Sequence, residues 1–427
     1  MTHPRPFPCS LSHPSRPASR PFSPTVLQPG YCLRLLLSAL GLAGALGGNM
    51  ALAQPAGPST PATTPTSAAA RALQAVTVAQ GLEHPWALAF LPDGRYLVTE
   101  RPGRMRVVQS DGRLNPPLAG LPPVVARGQG GLLDVVLDSD FAQNRQLYFC
   151  YSQPGTGADA GKNGTALARA TLNADATALQ QVQVIFEQQP KYDSALHFGC
   201  RILERMVNGR PDGSLFLTLG ERSSYKEEAQ NLRSHLGKIV RVGKDGSIPA
   251  NNPFVGRSDA LPAIWSWGHR SPQGAVLAPD GQLWMHEHGP QGGDEVNRIQ
   301  PGKNYGWPVI TYGENYGGGK IGAGITRQNG MEQPLHYWVP SIAPSGLAWV
   351  SSNRYGADWQ GSLVVGSLKS RMLERLKFDG DRLVAHEKLL PGLGQRVRDV
   401  RQGPDGWLYV LTDAPDGQLL RLTTPAQ

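Results

Sequence analysis

The densest run of side chains able to do chemistry lies between His286 and Pro308, in HEHGPQGGDEVNRIQPGKNYGWP. His286, Glu287 and His288 lead into a Gly289-Pro290 step, an Asp294-Glu295 pair follows, and Tyr305 and Trp307 close the segment. Histidines and carboxylates beside glycine-rich backbone offer nitrogen and oxygen ligands to a bound ion. Glycine lets backbone approach an ion or a planar ligand closely. The competing interpretation is a surface loop of solvated charges. Other candidates stand apart in the chain. Gly128-Gln129-Gly130-Gly131 is a glycine-rich turn presenting one amide side chain. His197 stands in His197-Phe198-Gly199-Cys200-Arg201, and Arg270 in the segment from Trp267 to Gly274. Taken alone His197 has no motif of its own, and its plain interpretation is a core histidine fixed by hydrogen bonds. Lys369, Arg396 and Arg398 are cations, and arginine forks bind carboxylates in bidentate fashion. Arg396 and Arg398 are two residues apart, so a strand would put them on one face.

A β architecture must position these groups. Helix-period patterns are scarce, and short β-rich runs are broken by Gly, Pro, Asp and Asn. One unit recurs: Pro-Asp-Gly, one residue, then alternating apolar residues. It stands at Pro92-Asp93-Gly94, Pro211-Asp212-Gly213, Pro279-Asp280-Gly281 and Pro404-Asp405-Gly406. Degenerate copies run from Asp138 to Ser152 and from Tyr355 to Ser367. Asp-Gly flanked by alternating apolar residues is a hairpin signal. Six mostly-strand units, spaced by about 45 to 80 residues, predict an all-β fold: a six-bladed β-propeller of four-stranded antiparallel blades. A β-helix has a much shorter period, and nothing divides the chain into a pair of sandwiches. The residues ending the runs are chemically rich: Thr99-Glu100-Arg101, Gly220-Glu221-Arg222, Glu287-His288-Gly289 and Thr412-Asp413. If the Asp-Gly turn marks one end of a strand, these residues collect at the other end, where separate blades supply one shared site.

Residues 1–53 read as a secretory signal segment. They begin basic and without acid, carry an apolar run from Tyr31 to Leu46 with one charge at Arg34, and end in Ala51-Leu52-Ala53. The run is shorter than the roughly 20 residues of a spanning helix, so no stable membrane insertion is expected after signal removal. Residues 54–72 read as a disordered Pro/Ser/Thr linker, and residues 73–427 as a single propeller domain. Arg5, Arg16, Arg20 and Arg34 are the only charges before residue 54, so losing them halves the formal net charge of +8. No Lys/Arg block is dense enough for a nucleic-acid partner. No CxxC, HExxH or Walker-type loop supports a zinc or nucleotide site. Of the cysteines, Cys9 and Cys32 lie in the removed segment. Cys150 and Cys200 either pair in an oxidising compartment or stay as two buried thiols. The expected location is periplasmic or secreted.

In order and spacing, the GQGG turn, HFGCR, WGHRSPQG, GPQGGDE…NYGW, Pro340 to Gly346, Lys369 and Arg396-Val397-Arg398 resemble the soluble quinoprotein aldose sugar dehydrogenases. These belong to the soluble glucose dehydrogenase family, whose cofactor is pyrroloquinoline quinone (PQQ). The resemblance covers essentially the whole folded region and implies the same six-bladed propeller. It implies that His197 is the general base for the sugar's anomeric hydroxyl. Gln129, Arg270, Lys369, Arg396 and Arg398 match cofactor-contacting positions, and Lys369 would also steady negative charge on the reduced quinone oxygens. Tyr316 would lie against the quinone plane; a core or surface aromatic is the alternative. Gly289 and Pro290 resemble the carbonyl ligands of a calcium ion that also binds PQQ. Glu295, and Tyr305 through its carbonyl, resemble ligands of a second, structural calcium. Two departures stand out: Ser271 replaces the family's usual asparagine, and Glu221 stands where the glucose enzyme has aspartate. The loops look shorter than in that enzyme, which argues against narrow glucose specificity and for a monomer or weak dimer.

The implied function is PQQ- and calcium-dependent oxidation of aldose sugars to lactones, with electrons passed to an external acceptor. Two other propeller functions compete with it. A calcium-dependent lactone hydrolase has no use for carboxylate-binding cations around a quinone, so Lys369, Arg396 and Arg398 speak against it. A non-catalytic sugar- or protein-binding propeller has no use for His197 together with those cations.

Overall fold

The computed structural model describes residues 73–425; the expected signal segment and linker lie outside the described residues. Strand β1 is Gln74–Leu82. Blade one holds β2 (Pro85–Phe90), β3 (Tyr96–Glu100), β4 (Arg104–Val108) and β5 (Leu114–Pro117). Blade two holds β6 (Leu132–Leu137), β7 (Gln146–Pro154), β8 (Asn163–Leu172) and β9 (Leu179–Glu187). Blade three holds β10 (Gly199–Val207), β11 (Arg210–Leu219), β12 (Lys238–Gly243) and β13 (Ile264–Trp267). Blade four holds β14 (Pro272–Leu277), β15 (Leu283–Glu287), β16 (Asp294–Ile299) and β17 (His336–Trp338). Blade five holds β18 (Pro344–Trp349), β19 (Ser362–Ser367), β20 (Leu373–Asp379) and β21 (Arg382–Leu389). Blade six holds β22 (Val397–Gln402), β23 (Leu408–Thr412) and β24 (Gly417–Thr423), and its outer strand is β1.

The first strand of each blade lies innermost. These strands contact one another in order around the axis, and β2 meets β22 to complete the ring. The chain closes the ring by pairing its two ends: Gln74 sits opposite Thr423, and Leu82 opposite Gly417. The fold is the six-bladed propeller of four-stranded antiparallel sheets that the repeats predict.

Alternation is visible in third strands such as β4 and is lost in second strands such as β15. Strands β15, β19 and β23 are buried along their whole length, because neighbouring blades cover both their faces. Near-continuous apolar runs follow from that two-sided burial. The Pro-Asp-Gly units join the inner to the second strand in blades one, four and six. In each, the aspartate accepts a hydrogen bond from the N–H two residues on: Arg95, Gln282 and Trp407, at 3.2, 2.9 and 3.2 Å. Gly94, Gly281 and Gly406 take left-handed φ of 84, 83 and 82°.

Blade three departs from the expected turn. Its reversal falls on Asn208-Gly209, both left-handed, with Val207 opposite Arg210. A two-residue Asn-Gly hairpin is the stronger turn signal. Pro211-Asp212-Gly213 is displaced into a strand irregularity between the Met206–Pro211 and Glu204–Leu215 pairs. Cys150 in β7 and Cys200 in β10 are joined as a disulfide with Cα atoms 5.8 Å apart, tying blade two to blade three.

Candidate active site

Strand register decides where the chemistry gathers. Glu100, Leu219, Glu287 and Thr412 end second strands, and they pair with Pro85, Gly199, Pro272 and Val397, which begin inner strands. Segments entering inner strands therefore meet segments leaving second strands on the face opposite the Asp-Gly turns. A cavity of 330 Å³ opens there, lined from all six blades. Trp86, Leu133, Phe198 and Leu368 supply apolar wall. Arg101, Arg396 and Arg398 supply charge, and Asp413 is the one acid of the lining.

The segment between blades two and three places His197 immediately before Phe198 and Gly199, which line this cavity. His197 is 7% exposed and left-handed, with φ of 49°. Its N–H donates to Gln129 Oε1 at 2.8 Å, and its Nδ1 lies 3.0 Å from Glu221 Oε2. A carboxylate can only accept, so Nδ1 carries the proton and Nε2 keeps its lone pair. Burial pushes the imidazole below the ordinary histidine range, and the Glu221 carboxylate partly opposes that. The resting state is a neutral base of fixed tautomer. Gln129, expected as a cofactor contact, lines the cavity and also orients the His197 backbone.

Blade six supplies the cations. Arg396 Nη2 lies 3.0 Å and Arg398 Nη2 3.5 Å from Asp413 Oδ2. Burial pushes Arg398 down to about 10, with Asp413 opposing. Burial favours protonation of Asp413, but Arg398, His84 and Arg396 outweigh it and hold the carboxyl well below the usual range. Arg398 also donates to Gln273 Oε1 at 3.2 Å, and Gln273 Nε2 donates to the buried Ser271 hydroxyl at 3.2 Å. Serine at 271 thus anchors a lining amide. Lys369 is exposed, next to the lining residue Leu368. Tyr316 is 74% exposed and is not part of the lining.

Blade four carries the oxygen-rich segment. Arg270 Nη1 donates to the carbonyls of His288 and Gly289 at 3.1 and 2.8 Å, so these carbonyls already face a cation. Asp294 holds the Gly289 N–H at 2.9 Å. Glu287 and Glu295 sit opposite each other on β15 and β16. Glu287 accepts from Arg270 N at 2.5 Å and lies 3.1 Å from His269 Nδ1. Burial, together with the neighbouring Glu287 charge, raises Glu295 to about 8. The Tyr305 hydroxyl is engaged with Arg298 O at 2.6 Å, and its ring stacks on His269. Glu287, Glu295 and Tyr305 enclose a void of 10 Å³, the size of a single small occupant. His286 sits in the channel wall with Nε2 3.3 Å from Gly346 O, a core histidine.

The donor sets fit the expected groups. A planar carboxylate-bearing cofactor meets three arginines against one acid, and Arg270 Nε is buried without a partner. A hard cation meets two facing carboxylates and a carbonyl-rich turn. Sequence reasoning had singled out Arg101, Glu221, His288 and Asp413 as run ends without assigning them roles. It missed Trp86, and it gave no role to Leu133 or to Gln273 of the WGHRSPQG segment. It also missed the buried network beneath the cavity. There Arg201 reaches Asp134 and Asp399 at 3.2 and 3.1 Å, while Arg401 reaches them at 2.6 and 2.9 Å. This network separates the cavity from an apolar one of 520 Å³ on the turn face.

Residues 82–421 match the family model described as Glucose / Sorbosone dehydrogenase. The chain is 45% identical to the aldose sugar dehydrogenase YliI of Escherichia coli over 345 residues, covering 80% of this chain and 90% of that protein. The apo crystal structure of the soluble aldose sugar dehydrogenase of Escherichia coli superposes with a TM-score of 0.77 at 43% identity, covering 82% of this chain and 99% of that one. The PQQ-bound aldose sugar dehydrogenase of Streptomyces coelicolor gives 0.68 at 28% identity, covering 84% and 99%. With the family model spanning nearly the whole propeller, the chain belongs to the glucose/sorbosone dehydrogenase family.

Proposed function

We propose that this protein oxidises aldose sugars at the anomeric carbon to lactones, using PQQ and calcium, and passes the electrons to an external acceptor. The carrying observation is one cavity lined by an excess of arginine charge, with a neutral, tautomer-fixed histidine immediately before its lining residues Phe198 and Gly199. When bound, the quinone supplies a two-electron acceptor and calcium supplies Lewis-acid polarisation. The chain supplies the rest. His197 Nε2 takes the proton of the anomeric hydroxyl, and Glu221 stabilises the imidazolium that results. Arg101, Arg396 and Arg398 hold the carboxylates of the cofactor, with Gln129, Arg270 and Lys369 as further contacts. Tyr316 would reach the quinone only through its exposed loop. Gly289 and Pro290 offer carbonyls to the catalytic calcium; Glu295, with the Tyr305 carbonyl, would hold the structural one.

The enzyme acts as a periplasmic or secreted monomer or weak dimer after removal of residues 1–53, with residues 54–72 as a linker. The Cys150–Cys200 bridge suits an oxidising compartment. No helix among the described residues is long and apolar enough to cross a membrane. The test uses mature protein from Gln54 onward, an artificial dye acceptor and a panel of aldoses. Dye reduction that needs PQQ, calcium and sugar together is expected. Absence of turnover together with absence of PQQ binding by calorimetry overturns the proposal.

A further inference from the structure

Resting on the reading of His197 as the base, we propose that Arg222 is a positioning residue that clamps the His197 loop and keeps the imidazole in its place beside the cavity lining. Arg222 is fully buried and is not part of the lining of the 330 Å³ cavity, yet it stands next to Glu221 in sequence. Its Nε donates to Leu196 O at 3.0 Å, and its Nη2 donates to Ser194 O and Asn163 Oδ1, each at 2.6 Å. Its guanidinium carbon lies 3.6 Å from the Phe198 ring centroid. The Ser194 hydroxyl returns a hydrogen bond to Arg222 O at 2.9 Å. One side chain thus grips the backbone just before His197 and the ring just after it.

His197 needs such a clamp, because its left-handed φ is unfavourable for a residue with a Cβ and must be held by its surroundings. Glu221 grips the imidazole, and Arg222 grips the loop that carries it. The two residues also act on the imidazole's charge in opposite senses. The charged groups facing His197 are Glu221, which favours the imidazolium, and Arg270 and Arg222, which disfavour it. The cost of burying Arg222 without a directly bonded carboxylate is visible in its guanidinium, pushed down to about 9 mainly by burial, with Nη1 left unpartnered.

The experiment compares wild type, Arg222→Met, Asn163→Ala and His197→Gln, each loaded with PQQ and calcium and assayed with dye and sugar across pH. Arg222→Met is expected to lower kcat by about tenfold to a hundredfold with little change in sugar KM, as misplacement of a reacting group does. Its acid limb is expected at higher pH, because the base loses a cation that disfavours its protonated form. Asn163→Ala loosens only one bond to Arg222 and should lower kcat less, without moving the limb. If Arg222→Met folds, binds PQQ and keeps wild-type kcat and acid limb, the inference is wrong. If it does not fold, Asn163→Ala decides: an unchanged kcat overturns the clamp. Full activity in His197→Gln would instead remove the reading of the base on which the inference stands.

Discussion

The two sides of the cavity are built differently. On the His197 side the imidazole is positioned without any ligand: Glu221 holds Nδ1, Gln129 holds the N–H, and Arg222 holds the loop. On the blade-four side, Glu287 and Glu295 face each other in a buried setting, and among the described residues no arginine or lysine side chain pairs with either carboxylate. One side is a finished base; on the other, burial and the Glu287 charge favour the protonated form of Glu295, and a cation would favour its carboxylate. A protein can preorganise a proton acceptor from its own groups, but two like charges in low dielectric need a counterion from elsewhere.

The largest effect should come from deleting the finished side. His197→Ala is expected to lower kcat by about 10²- to 10⁴-fold, the range for a positioned general base, with PQQ affinity and thermal midpoint close to wild type. Steady-state kinetics with calorimetric PQQ titration checks this. A variant with unchanged kcat would make His197 a core histidine and dissolve the contrast between the two sides.

The next effect concerns the unfinished side. Chelating calcium from wild-type protein should lower the thermal midpoint by a few degrees, since a ligand at a hundredfold of its Kd contributes on the order of 3 kcal/mol. Glu295→Gln removes one of the facing charges, so its midpoint should respond much less to chelator. Equal chelator responses in the two proteins would place any stabilising cation elsewhere. Scanning calorimetry with and without chelator separates the outcomes.

Much of this was legible from residues alone, for identifiable reasons. Asp-Gly turns with the aspartate bonded to the N–H two residues on are local devices, so blades one, four and six announced themselves. The convergence of Arg101, Glu287, His288 and Asp413 on one face followed from the same turns, because strand register carries one end to the other. Blade three misled because Asn208-Gly209 outcompetes the nearby Pro-Asp-Gly for the reversal. The closure of blade six by β1 left no local trace, since its partner β24 lies at the far end of the chain. Arg222 was visible only as the residue after Glu221. Its function is in bonds to Ser194, Leu196 and Asn163, which no spacing encodes.

The smallest effect tests how the finished side is tuned. Glu221→Gln keeps the shape but removes the carboxylate charge that favours the imidazolium, so the imidazole becomes still harder to protonate. Catalysis needs the neutral form, and activity is lost as pH falls through the histidine pKa. Raising that pKa moves the acid limb up; lowering it moves the limb down. Glu221→Gln should therefore carry the limb to lower pH, opposite in sign to Arg222→Met. Its kcat should fall by roughly tenfold, because an amide no longer enforces the tautomer or steadies the developing charge. A limb moving upward in Glu221→Gln would mean that the group setting it is not the imidazole at 197. Opposite shifts in neighbouring variants would show that adjacent residues set, from either side, how readily one histidine takes a proton.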